Sequence, residues 1–228
     1  MTALIAAAVF FVLLHLLVSG TRLRGALVGT MGEGPYMGLF SLASAAGIVW
    51  LGMAYAGARG VGGAYWDTGA AGRHAAILIQ LLAFLLIVPG LLTPNPTSVK
   101  QEGSLERPDV VRGMLRITRH PFLWGVAIWA AGHLLVNGDA PSILLFGSML
   151  ALAVFGTLSI DAKRKRALGA TYEAFTAQTS NLPFGAVVSG RQKLSLGEIG
   201  WWKLLIAVAV WAAVLFGHQY IFGVDPLA

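Results

Sequence analysis

The chain has 228 residues, 57% of them hydrophobic and 11% charged, against about 25% charged in an ordinary soluble domain. Mean hydropathy is +0.73, more apolar surface than a soluble fold of this size can hide, so the sequence reads as an integral membrane protein. Cysteine is absent, which excludes disulfides, thiolate metal sites and cysteine nucleophiles; the net charge of +6 reads as basic cytoplasmic loops and not as a nucleic-acid surface.

Six apolar runs follow in chain order, at 2–19, 36–57, 74–92, 121–136, 141–160 and 200–222. Each approaches the ~20 residues needed to cross hydrocarbon, the fourth being the shortest. The first has no basic leader and no A-x-A site, and Arg22 and Arg24 come after it, so it reads as a retained helix with its N-terminus outside. The second carries small residues at helical spacing, Ala43, Ser44 and Gly47, which let helices approach closely. The third ends in Pro89-Gly90 and the Pro94-Asn95-Pro96 turn, and the fifth opens at Pro141 after Asn137-Gly138-Asp139.

Charge fixes the expected orientation. The segments after the first, third and fifth runs, with Lys203 at the start of the sixth, hold 14 Lys and Arg residues, while the other side holds only Arg59 and Arg73. By the positive-inside rule both termini lie outside. The segment 58–73, with Gly60, Gly62 and Gly63, reads as a flexible linker. Segment 93–120 is mixed-charge and proline-punctuated. Segment 161–199 opens as a helical extension from Asp161 to about Gln178, with Leu168, Tyr172 and Phe175 on one face against the membrane surface or the bundle.

The five histidines are the candidates for chemistry, because a polar group inside a bilayer needs a partner. His74 and His218 fall near the outer interface, where water solvates them, and His120 precedes Pro121 at the inner mouth of the fourth run. His15 and His133 fall well inside separate apolar runs. Each of these two either donates to a backbone carbonyl and nothing more, or shares a ligand. Haem suits such a pair better than a metal cluster, with apolar walls for the macrocycle and Arg22, Arg24, Arg116 and Arg119 at the right helix ends for its propionates. Counted along straight helices, His15 is offset by roughly 8 Å from His133 and roughly 10 Å from His120, so depth does not choose between the two pairings.

The phrases "HLLVSGTRLRGALVGTMGEGPYMGLFSLASAAGIVWL", "PNPTSV" and "ITRHPFLWGVAIWAAGHLL" resemble the NnrU family, whose plant relatives are 15-cis-ζ-carotene isomerases. The resemblance implies a membrane-embedded haem b held by His15 and His133, whose reduced iron promotes rotation about one carotenoid double bond; its bacterial members are associated with denitrification and nitric oxide. One departure is evident: a cysteine that the plant proteins carry one turn before the second histidine is Ala130 here, so a histidine–cysteine ligand switch is impossible. A second, shorter resemblance runs from "RHPFLWG" through Asp161, Leu168-Gly169, Tyr172 and Phe175 to "NLPF". It is to the isoprenylcysteine and phospholipid methyltransferases, and implies S-adenosylmethionine binding at Arg119, His120 and Asp161, although one of the paired glutamates is Ala162.

The sequence therefore predicts an all-α, polytopic bundle of about six membrane helices, a single domain over 1–228, in a bacterial inner membrane. The expected function is haem b binding by His15 and His133. It would serve isomerisation of a hydrophobic polyene drawn from membrane lipid, or nitric-oxide-linked haem chemistry. A membrane methyltransferase and a non-catalytic assembly factor are the alternatives.

Overall fold

The computed structural model describes residues 1–227. It is all-helical, with one isolated β-bridge between Ala64 and Asp139. The helices are α1 (Thr2–Leu13), α2 (Arg22–Met31), α3 (Glu33–Ala58), α4 (Gly69–Leu91), α5 (Met114–Ile117), α6 (Pro121–Val136), α7 (Ala140–Leu168), α8 (Ala170–Gln178), α9 (Gly185–Val188) and α10 (Trp201–Phe222). Four of them, α3, α4, α7 and α10, are long and apolar enough to cross a membrane. A fifth span arises if α1 and α2 count as one broken unit, bent by 80°. The sixth expected span, α6, has 16 residues, about 24 Å of rise.

Several boundaries differ from the sequence reading. The α1 rod does not end in a loop: its α-helical ladder slips into a π turn over Leu14–Val18, where Ser19 N–H reaches Leu14 O at 3.2 Å, before α2 starts where a loop was expected. Thr21 supplies the reason, since its hydroxyl accepts from Leu23 N–H and caps the new helix. The extension after the fifth run is two helices rather than one. Gly169 at φ +51° breaks α7 from α8, a left-handed conformation that suits glycine. The glycine-rich linker is tied down as well, by the Ala64–Asp139 bridge and by Trp66 Nε1 donating to Leu134 O at 3.1 Å.

Packing registers the rods. At Gly125, a Cβ would meet Ile87 and the Ala83 carbonyl of α4, so glycine there lets the α4 and α6 backbones approach closely. One core joins α1, α3, α6 and α7 through Leu4, Ala7, Phe11, Leu51, Ala130 and Phe146. The ends sort by charge. One end gathers Gly20 against Ser159, Gly90 against Pro121 and Lys203 donating to Thr93 at 3.0 Å. The opposite end holds Arg59 donating to Phe222 O at 2.9 Å and Tyr55 bonded to Ser142 at 3.0 Å. The expected basic segments therefore meet at one end of the bundle. Large apolar side chains remain exposed around it, among them Leu42 at 70%, Met53 at 70% and Phe216 at 67%, a surface suited to lipid and not to water.

Candidate functional site

The richest polar cluster sits at the basic end, where α6 begins. Extended backbone at Thr118 and the break at His120, before Pro121, turn Arg119 and His120 toward α7. Arg119 Nε donates to Asp161 Oδ1 at 2.9 Å and Oδ2 at 3.0 Å, and its Nη2 donates to Oδ2 at 2.5 Å. His120 Nε2 donates to Oδ1 at 2.8 Å, Tyr172 donates to the same oxygen at 2.7 Å, and Asn181 Nδ2 donates to Oδ2 at 3.1 Å. Trp124 and Thr118 hold Asn181 in turn, through its side-chain and main-chain oxygens. The "PNPTSV" turn closes the cluster from α4: Asn95 Nδ2 and Thr97 Oγ1 both donate to Arg119 O at 3.0 Å.

Electrostatics follow from burial. His120 is 2% exposed, and burial lowers its imidazole below the ordinary histidine range against the opposing pull of Asp161. It is held neutral, with its Nε2 proton on the carboxylate. Burial, then the charge of Asp161, raises the Tyr172 hydroxyl well above the usual phenol range, so it stays a donor. Asp161 thus accepts from four side chains, which satisfy a buried carboxylate without any ligand. The residues singled out for S-adenosylmethionine do come together, but as a closed internal lock. Within the lock, His120 Nδ1 is buried without a partner among the described residues.

A second ion pair lies beside it. Arg116 grips Glu198 at 2.7 and 3.0 Å and Gln192 at 2.6 Å, and Glu198 also accepts from Gly113 N–H at 2.9 Å. The Arg116 contact and that N–H pull the Glu198 carboxyl down to about 2. Arg116 and Arg119 were expected to face haem propionates; both are committed to carboxylates of this chain. Arg24 pairs with the exposed Glu33 at 3.1 Å and lies 5.4 Å from the Tyr36 ring centre, while Arg22 opens α2.

His15 and His133 share one local design. His15 Nδ1 donates to Phe11 O at 2.8 Å and His133 Nδ1 to Trp129 O at 2.9 Å, each one turn back on its own helix. Such a bond fixes the tautomer and leaves Nε2 as the free lone pair, the arrangement that an axial imidazole needs. Gln80, which the sequence reading passed over, lies 3.1 Å from His133 Nδ1 and donates to Trp129 O.

His15 packs edge-on to Phe40, with ring centres 5.4 Å apart, and stands 4.4 Å from Phe11. His133 stacks on Phe146 at 4.5 Å, and Phe146 packs against Tyr55 at 6.1 Å. Phe11, Ala130 and Phe146 belong to one buried core, so each histidine borders the same apolar layer, one from α1 and the other from α6. His120 Nε2 is engaged by Asp161.

The fold and its polar end define a class, the helical membrane-type bundle with a carboxylate lock at one mouth. The chain belongs to the NnrU family: the model described as "NnrU protein" matches residues 3–226. Among curated proteins it is similar to 15-cis-zeta-carotene isomerase, chloroplastic, of Zea mays, with 29% identity over 106 residues, 45% of this chain and 29% of that protein. It is also similar to the Arabidopsis thaliana protein of the same name, with 28% identity over 130 residues, 55% of this chain and 34% of that protein. The chain thus spans about a third of the length of these relatives. No solved structure matches it.

Proposed function

We propose that this protein is an integral membrane isomerase acting on the double bonds of a hydrophobic polyene of the ζ-carotene class. The likeness to two 15-cis-zeta-carotene isomerases within the NnrU frame carries the reading. The lipid-facing apolar surface supports it, because a hydrocarbon substrate reaches such a bundle from the bilayer. The same reading counts six spans, including the broken α1–α2 unit and the short α6, with the basic end on the cytoplasmic side of a bacterial inner membrane and both termini outside.

Haem b is the cofactor that the resemblance implies. The donor chemistry of each imidazole suits an axial ligand, and His15 and His133 are the residues that would hold the group, which would supply a redox-active iron beside the polyene. Nitric-oxide-linked haem chemistry would draw on the same two residues. The test is expression in bacteria that accumulate 15-cis-ζ-carotene, with chromatographic separation of the isomers. Conversion of the 15-cis isomer supports the proposal, and an unchanged isomer profile with full-length protein in the membrane ends it. A Soret band that disappears in both His15→Ala and His133→Ala would assign the two histidines to one haem, and a band retained in either variant would remove that residue from the ligand set.

A further inference from the structure

The segment 93–107, which follows α4, is held as a hydrogen-bonded wall. Asn95 N–H donates to the Gln101 side chain at 2.8 Å, and Ser104 Oγ donates to the Gln101 carbonyl at 2.7 Å. Arg164 of α7, only 8% exposed, donates to Ser98 O at 2.7 Å and pairs with Glu102. These two anchors flank Lys100, which stands at φ +57°. A residue with a side chain keeps that left-handed backbone only where its surroundings enforce it, and such positions gather at ligand clamps and functional sites.

Between this wall and the end of α4 lies a cavity of about 610 Å³. Its two sides differ in chemistry. Leu91 and Leu92, 61% and 40% exposed, supply an apolar side, while Lys100, Gln101, Ser104 and Arg107 supply a polar one. Thr93, which also lines the cavity, accepts from Lys203 Nζ at 3.0 Å. At the same end of the bundle Arg116, Arg119, Arg164 and Lys165 are each paired with a carboxylate. Among the described residues Lys100, Arg107 and Lys203 have no such partner, and Glu102, within the wall, is taken by Arg164.

Three cations without a counter-charge, set over the exposed apolar end of a membrane-length helix, complement an anion that is carried on hydrocarbon. We propose that this cavity binds an anionic phospholipid. The phosphodiester lies between Lys100 and Arg107, with Lys203 adding positive charge from beside Thr93. Headgroup hydroxyls reach Gln101 and Ser104, and an acyl chain runs along Leu91 and Leu92 into the bilayer. The same segment donates to Arg119 O through Asn95 and Thr97, so an occupied cavity steadies the start of α6. The site is independent of the isomerase reading and of any haem.

The test is thermal unfolding of the purified, detergent-solubilised full chain during titration with dioleoylphosphatidylglycerol, dioleoylphosphatidylcholine or inorganic phosphate. Phosphatidylglycerol should raise the unfolding temperature saturably, and the other two should not. Lys100→Gln and Arg107→Gln alter exposed side chains, so both should fold, and each should weaken the apparent affinity about fivefold. Lys193→Gln removes an exposed cation outside the cavity and should leave the affinity unchanged. Absence of a saturable response to phosphatidylglycerol overturns the inference, as does an equal response to phosphatidylcholine. A loss in Lys193→Gln as large as that in Lys100→Gln also overturns it, by reducing the effect to overall charge. So does a saturable response to inorganic phosphate alone, which would make this a site for a free anion.

Discussion

Arg119 and Asp161, 42 residues apart in sequence, are joined by three hydrogen bonds of 2.5 to 3.0 Å. Their side chains are only 12% and 17% exposed. This pair fastens the start of α6 to the C-terminal half of α7, and through Tyr172 and Asn181 it also fastens the two segments that follow.

Removing the carboxylate leaves a guanidinium, an imidazole and a phenol facing each other without an acceptor. Asp161→Ala should therefore cost about 3–5 kcal/mol, read as a lower unfolding temperature of the detergent-solubilised protein. Tyr172→Phe deletes one of the four donors and should cost about 1 kcal/mol. A milder effect for Asp161→Ala than for Tyr172→Phe would show that the lock does not hold the fold.

The Glu198–Arg116 pair gives a pH window. The folded Glu198 carboxyl lies near 2, below its ordinary value of 4.5. Its contribution to stability is complete above 4.5 and disappears as pH falls toward 2. Proteolysis of the segment between α9 and α10 should accelerate across that interval. In Glu198→Gln the acceleration attributable to this carboxyl should be missing, and an identical pH profile in the variant would count against the assignment.

The proposed orientation is checked by single cysteines. Substitutions at Arg107 and Lys165 should react with an impermeant reagent only from the cytoplasmic side, and substitutions at Gly62 and Val224 only from outside. Labelling of Lys165→Cys from outside would invert the whole assignment.

Hydropathy and charge were sufficient, in sequence, to place the apolar rods and to gather the basic segments at one end. Length and polarity set those features residue by residue, and a chain in lipid has few alternatives. The "RHP" segment, Asp161 and Tyr172 could also be picked out as a group. Their closure into a lock could not, because Asn181, and Asn95 with Thr97, join it from two separate segments and look like ordinary loop residues in sequence.

By itself the sequence determined that this chain is a bundle of apolar helices with a basic end, since each residue carries its own transfer free energy wherever it sits. Only the tertiary structure decided which polar groups meet. It brought Arg119, His120 and Asp161 together, and it set His15 beside Phe40 of α3 and His133 beside Phe146 of α7. The physical reason is register: close contacts such as Gly125 on Ile87 and Gly20 on Ser159 fix how far one helix slides along another. A shift of one turn changes axial position by about 5.4 Å, more than the span of a metal–imidazole bond.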